Sequence, residues 1–224
     1  MICFFTVFVV LCALIAFFFR KKDEPVQTSA AQIVLPEIPA GVSLENAASV
    51  KKTMLRYQLY FTPYMKQIAN LPEFESSNEL TDFDKLAFAV INSSGGDYNS
   101  ESGRVSGGRL RQIVSRCLGA ELHAGGGGSV EYDASADEYI WLGSPLRANS
   151  HALVFSDIEQ NGAIFKAYFL AYQGGADFDY TAAILSPNPA VKPAYMQTVT
   201  FSAEYDEEKA LFLRYHSNRV SSVM

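Results

Sequence analysis

Apolar positions along this chain fall into stretches with different periods, and each period predicts a different element. Residues 2–19, ICFFTVFVVLCALIAFFF, hold no charge and stop abruptly at Arg20, Lys21 and Lys22. A run that is apolar on every side has no polar face to offer water. At ~1.5 Å per residue it makes a helix of roughly 27 Å, close to the ~30 Å hydrocarbon core of a bilayer. A transmembrane anchor over 1–20 follows. RKKDEP comes directly after the run and Ser29-Ala30-Ala31 lies too far on for signal-peptidase cleavage, so a retained signal-anchor is expected. From 21 to 42 the chain carries Pro25, Pro36 and Pro39 and no helical period, which reads as an extended tether.

Helical spacing begins at Ser43, a candidate cap. Val50, Met54, Tyr57, Phe61, Tyr64 and Ile68 recur at steps of four and three, with Pro63 marking a kink or a junction of two helices. Thr81-Asp82-Phe83-Asp84 has the form of a capping box opening a second helix, with Phe83, Leu86, Ala87, Val90 and Ile91 on one face. A Gly- and Ser-rich loop is expected from Ser93 to Gly108. Then Leu110, Ile113, Val114, Cys117 and Leu118 predict a third helix that Gly119 ends.

Beyond Gly125–Gly128 the period turns strand-like, at 130–133, 138–142, 151–160, 163–173, 180–186, 195–205 and 210–217. Asn161-Gly162 predicts a two-residue hairpin turn, with Asp157 opposite Lys166 and Phe155 opposite Tyr168. Helices first and hairpins afterwards imply an α+β fold: three helices packed on a mostly antiparallel, curved sheet of about six strands, in a single domain over 43–224. A helix-wrapped sheet of the nuclear-transport-factor or cystatin type is one arrangement consistent with that order, although no residue motif carries the comparison.

Composition narrows the function. A net charge of −6 with pI near 5.1 speaks against binding a phosphate backbone, so no nucleic acid partner is expected. Of three cysteines, Cys3 and Cys12 lie in the apolar run, which leaves Cys117 alone in the domain as a small buried hydrophobe and excludes an internal disulfide framework. Arg20, Lys21 and Lys22 after the span argue for a cytoplasmic domain. The lone domain cysteine and the Tyr, Ser, Asn and Gly richness weigh the other way, and the expectation is a single-pass membrane protein with its domain outside the cytoplasm.

Reactive signatures are weak. His123, His151 and His216 are not spaced as metal ligands. Ser49-Val50-Lys51-Lys52 has the Ser-x-x-Lys form without its companion elements, and no nucleophile elbow occurs. The glycine tract leads from helix to strand, the reverse of a phosphate loop. Asp97-Tyr98-Asn99-Ser100-Glu101 lacks the glycine placement and closing Glu of a calcium loop. Ser106-Gly107-Gly108-Arg109 with Arg111 could hold an anion at a helix start, though a plain cap explains it better. Asn92-Ser93-Ser94 is a formal glycosylation triplet. No catalytic residue, metal or cofactor is assigned.

A ligand site, if the domain has one, is expected where strand aromatics and histidines line the hollow of a helix-covered sheet: Trp141, His151, Tyr168, Tyr172, Tyr215 and His216. The expected partner is the bilayer, through residues 2–19, with the protein or small-molecule partner left open. A membrane-tethered, non-enzymatic binding or assembly module is the first functional expectation. A hydrolase or isomerase with its pocket in the α+β domain is the alternative.

Overall fold

A computed structural model describes residues 47–93, 103–126, 130–141, 150–174 and 178–223. The chain divides into two units, Met1–Val34 and Leu35–Met224, and every described residue belongs to the second. The expected anchor, the cap at Ser43, the Asp97–Glu101 loop and the second half of the glycine tract lie outside the described residues. No helix among the described residues is long and apolar enough to cross a membrane.

The helical stripe folds as α1 (Ala47–Phe61), a 3-10 turn over Thr62–Tyr64 and α2 (Met65–Ala69). Pro63 sits within the turn, where its missing N–H costs nothing, so the stripe survives as two abutting helices. Helix α3 (Asp82–Asn92) opens with the expected capping box: Asp84 N donates to Thr81 Oγ1 at 3.2 Å and Thr81 N donates to Asp84 Oδ2 at 3.0 Å. Its buried face differs from the expected one. Phe83 is 49% exposed, whereas Phe88 is buried, because α3 is covered on the side of Leu86, Ala89 and Val90. Helix α4 (Gly107–Leu118) buries all five expected apolar residues and ends at Gly119 with φ 60°.

Two antiparallel sheets replace the single sheet of about six strands. One has the order β1-β3-β2, from β1 (Arg104–Ser106), β2 (Val130–Asp133) and β3 (Glu138–Trp141). Strand β1 falls in the expected loop, and three residues are too few for a period of two to register. The other sheet is a meander of β4 (His151–Asn161), β5 (Ile164–Gln173), β6 (Tyr195–Tyr205) and β7 (Leu211–Ser221).

The segment expected as a strand at 180–186 is instead helix α5 (Tyr180–Leu185), capped by Asp179, whose carboxylate accepts from Ala182 N at 2.9 Å. A helix under two turns long shows no period by which to recognise it. The β4–β5 hairpin also corrects the expected register. Its turn is Gly162-Ala163, with Gly162 at φ 61° in the glycine-first order of a type II′ loop. Glu159 therefore faces Lys166, and a bulge between Phe155 and Asp157 sets Phe155 opposite Phe169 and Asp157 opposite Tyr168. The ion pair moves by one pleat, to Lys166 Nζ and Glu159 Oε2 at 4.0 Å.

The core lies between the four-stranded sheet and α1–α4. Phe61, fully buried, stacks on Phe155 at 5.9 Å between ring centroids and meets Phe169 and Phe201 edge-on at 5.3 and 5.7 Å. Buried amides tie helices to strands. Gln58 donates to Leu153 O and accepts from Phe155 N at the bulge, satisfying backbone groups on the sheet's edge strand. Gln197 donates to Ile68 O and to Asn218 Oδ1, and Asn218 donates to Leu71 O and Pro72 O. Helix α5 packs on both α1 and β4.

Candidate functional site

Alternation along β5 decides which candidates can meet. Phe165, Ala167, Phe169 and Ala171 face the core, so Lys166, Tyr168, Leu170 and Tyr172 face the opposite side of the sheet. On that side Tyr172 stacks on Phe178 at 5.7 Å, and Phe178 meets Tyr180 edge-on at 5.1 Å. The chain then turns into α5 and the segment 186–191. Tyr172, Phe178, Ala182, Ala183, Pro187 and Val191 are the apolar walls of an open groove of about 200 Å³. Its polar groups are largely spent on the backbone. Asp179 caps α5, and Asn188 Oδ1 accepts from Ala190 N at 3.0 Å.

A second cleft, of about 330 Å³, lies along β7 and is polar, with Glu75, Ser76, Ser77, Gly119, Arg214 and His216 on its walls. His216 is the extra residue of a bulge, since Tyr215 pairs with Phe201 and Ser217 with Thr200. Its Nε2 lies 2.9 Å from Ser202 Oγ, and Ser202 Oγ donates to Glu204 Oε1 at 2.8 Å. Arg214 Nε donates to Glu204 Oε2 at 3.0 Å, while Arg219 pairs with Glu75 at 2.7 Å. Desolvation lowers the His216 pKa, with Glu204 opposing and Arg214 reinforcing, so the imidazole is neutral at pH 7. Tyr215 also borders this cleft but is itself buried, its hydroxyl donating to Gln67 Oε1 at 3.1 Å.

No family model, curated protein or solved structure matches this chain.

Among the six expected site residues, the groove takes Tyr172 and the polar cleft takes Tyr215 and His216. Tyr168 stands on the outer sheet face, where its hydroxyl donates to Glu159 Oε1 at 2.7 Å and Lys166 lies over its ring at 5.1 Å. His151 opens β4 with its ring 5.1 Å from that of Tyr195. Trp141 ends β3, in the other sheet, and its side chain lies outside what the structure describes. His151 and His216 stand on the two outermost strands of the meander, three strand spacings or roughly 14 Å across the sheet, and at different levels along it, His151 level with Gln173 and His216 with Phe165 and Lys166. The third histidine, His123, is 3.2 Å from Asp82 Oδ2 on the surface. Among the described residues no cluster of His, Cys, Asp and Glu is suited to a metal ion.

The anion site considered at the start of α4 already holds an anion, supplied by the chain itself. Asp137, in a left-handed turn with φ 52°, accepts from Arg111 Nη2 at 2.6 Å and from the Tyr132 hydroxyl at 2.8 Å. Its carbonyl accepts from Gly107 N at 2.7 Å, and a methyl group at Gly107 would overlap the carboxylate. The Arg111 and Tyr132 bonds hold the Asp137 carboxyl below the usual range. The Ser-x-x-Lys reading finds a structural use too, since Lys51 Nζ donates to Leu185 O at 2.6 Å and joins α1 to α5.

Phe178, Ser202, Glu204 and Arg214 escape sequence reasoning. Phe178 lies in a connection with no period. The Ser202–His216 contact depends on the β7 bulge, which changes the register by one residue and leaves no mark in the alternation.

Proposed function

We propose that this protein is a membrane-tethered binding module, held at the bilayer by residues 2–19 and taking an apolar ligand or partner segment in the groove beside Tyr172 and Phe178. The groove carries the reading. Stacked aromatics, two alanines, a proline and a valine around an open volume of about 200 Å³ offer burial of apolar surface, and Asp179 is committed to capping α5. Photocrosslinking tests it: benzoylphenylalanine at Val191 of the full chain in its own membrane is expected to give a discrete adduct that disappears when Ala183→Trp fills the groove. An adduct unaffected by the plug, or shared with a probe at exposed Glu131, would count against the groove.

A second reading, as a hydrolase or isomerase, draws on the Ser202 Oγ to His216 Nε2 distance of 2.9 Å beside the polar cleft. A neutral imidazole can accept a serine proton, but here the same hydroxyl donates to Glu204, which competes for it. Labelling of Ser202 by a fluorophosphonate, lost on His216→Ala, would favour this reading over the first.

A further inference from the structure

Charge is unevenly distributed over this acidic chain. From Ala47 to Pro72 it has Lys51, Lys52, Arg56 and Lys66 and no Asp or Glu, and from Tyr180 to Ala203 it has Lys192 and again no acid. The fold brings these two stretches together, because α1 packs on α5 and Lys51 Nζ reaches Leu185 O. Lys52, Arg56 and Leu59 follow one another at steps of four and three on the side of α1 turned away from Tyr57, Gln58 and Phe61, and exposed Lys66 continues the series on α2. Lys52, Arg56 and Lys66 meet no acidic partner among the described residues. Leu59, in their midst, is 71% exposed, with Leu185 at 40% and Val191 at 49% on the adjoining α5 region.

We propose that this α1–α5 face is a contact surface for an anionic lipid bilayer, with Lys52, Arg56 and Lys66 against headgroup phosphates and Leu59 entering the boundary with the acyl chains. Cations that flank an exposed apolar side chain match what an interfacial helix presents to a membrane. The inference rests on reading residues 2–19 as an anchor, and that reading strengthens it. The 27 residues from Arg20 to Asn46 separate the run from α1. A tether of that length spans roughly 5–6 Å × √27, about 29 Å, so the face emerging with α1 would be kept close to the bilayer at high effective concentration. Weak contacts then suffice, each cation contributing on the order of fivefold to the ratio of docked to undocked domain.

The full chain reconstituted in nanodiscs, made of phosphatidylcholine alone or mixed with phosphatidylglycerol, provides the test through amine footprinting read by mass spectrometry. Acetylation of Lys52 and Lys66 is expected to slow several-fold on adding the anionic lipid, while Lys166, on the opposite face of the sheet, keeps its rate. Lys52→Glu with Arg56→Glu is expected to abolish the slowing at Lys66. Equal rates at Lys52 and Lys66 in the two lipids, in chains that co-elute with discs, would overturn the inference and leave the anchor standing. Chains that elute apart from the discs would overturn the anchor and the inference together.

Discussion

Phe61 has no exposed surface and touches the rings of Phe155, Phe169 and Phe201, on three adjacent strands, from one position at the end of α1. Phe61→Ala should lower stability by about 3–5 kcal/mol, because the cavity lies among side chains that strand pairing prevents from closing in. The urea midpoint of the full chain checks this. His216 gives a pH dependence whose sign follows from burial. Its pKa is lowered in the fold, so as pH falls below about 6.5 the unfolded chain binds a proton first and stability declines until the folded imidazole titrates. The contribution is complete above that pH and lost below. His216→Gln should flatten the decline, as urea midpoints taken across the acid range would record, and a curve parallel to that of the unaltered protein would refute the assignment. Cys117, whose thiol burial pushes up to about 11, should stay unreactive to alkylating reagents in the native state.

At the scale of elements, local chemistry at helix starts is decisive. Thr81→Ala removes one half of the α3 capping box and should cost about 1 kcal/mol, whereas Thr81→Ser should cost much less, since its hydroxyl can still accept from Asp84 N. The start of α4 uses a distant residue instead. Asp137 neutralises both Arg111 and the helix terminus, and because its pKa is depressed, that contribution is present above the ordinary carboxyl range and lost as pH falls through the folded value. Asp137→Asn keeps a residue tolerant of the left-handed turn while removing the charge, and should speed amide exchange at Gly108 and Arg109 relative to Val114. The capping box was legible because its partners are three residues apart. Asp137 was not, because its partner Arg111 lies 26 residues earlier in the chain and meets it through β1–β3 pairing.

For the whole molecule, the proposed anchor and the proposed docking face are tested separately. Arginine at both Val9 and Val10 would place two charges in the middle of the proposed span at roughly 2.5–3.5 kcal/mol each, and is expected to move the protein from the carbonate-resistant membrane pellet to the supernatant. A protein that stays in the pellet would contradict a spanning role for residues 2–19. The basic stripe on α1 and α2 is a property of this scale as well. Its cations are visible in the sequence, but their union with the α5 region depends on α5 packing between α1 and β4.

The chain's own order of residues determined the elements whose signals repeat or complete themselves locally: α1 with its break at Pro63, α3 with its cap, α4 with its stop, and the long strands of the meander. Period and capping act over a few residues, so they can be read without knowing what lies across the core. Tertiary structure decided that the strands divide into two sheets, that 180–185 is helical, that the hairpin turns at Gly162-Ala163, and that His216 meets Ser202 while His151 stands on the opposite edge of the meander. The α5 cap and the Gly162-Ala163 turn are local but too short to leave a period, whereas the division into two sheets and the meeting of His216 with Ser202 turn on a bulge or on pairing between segments far apart, which exists only once the backbone has closed on itself.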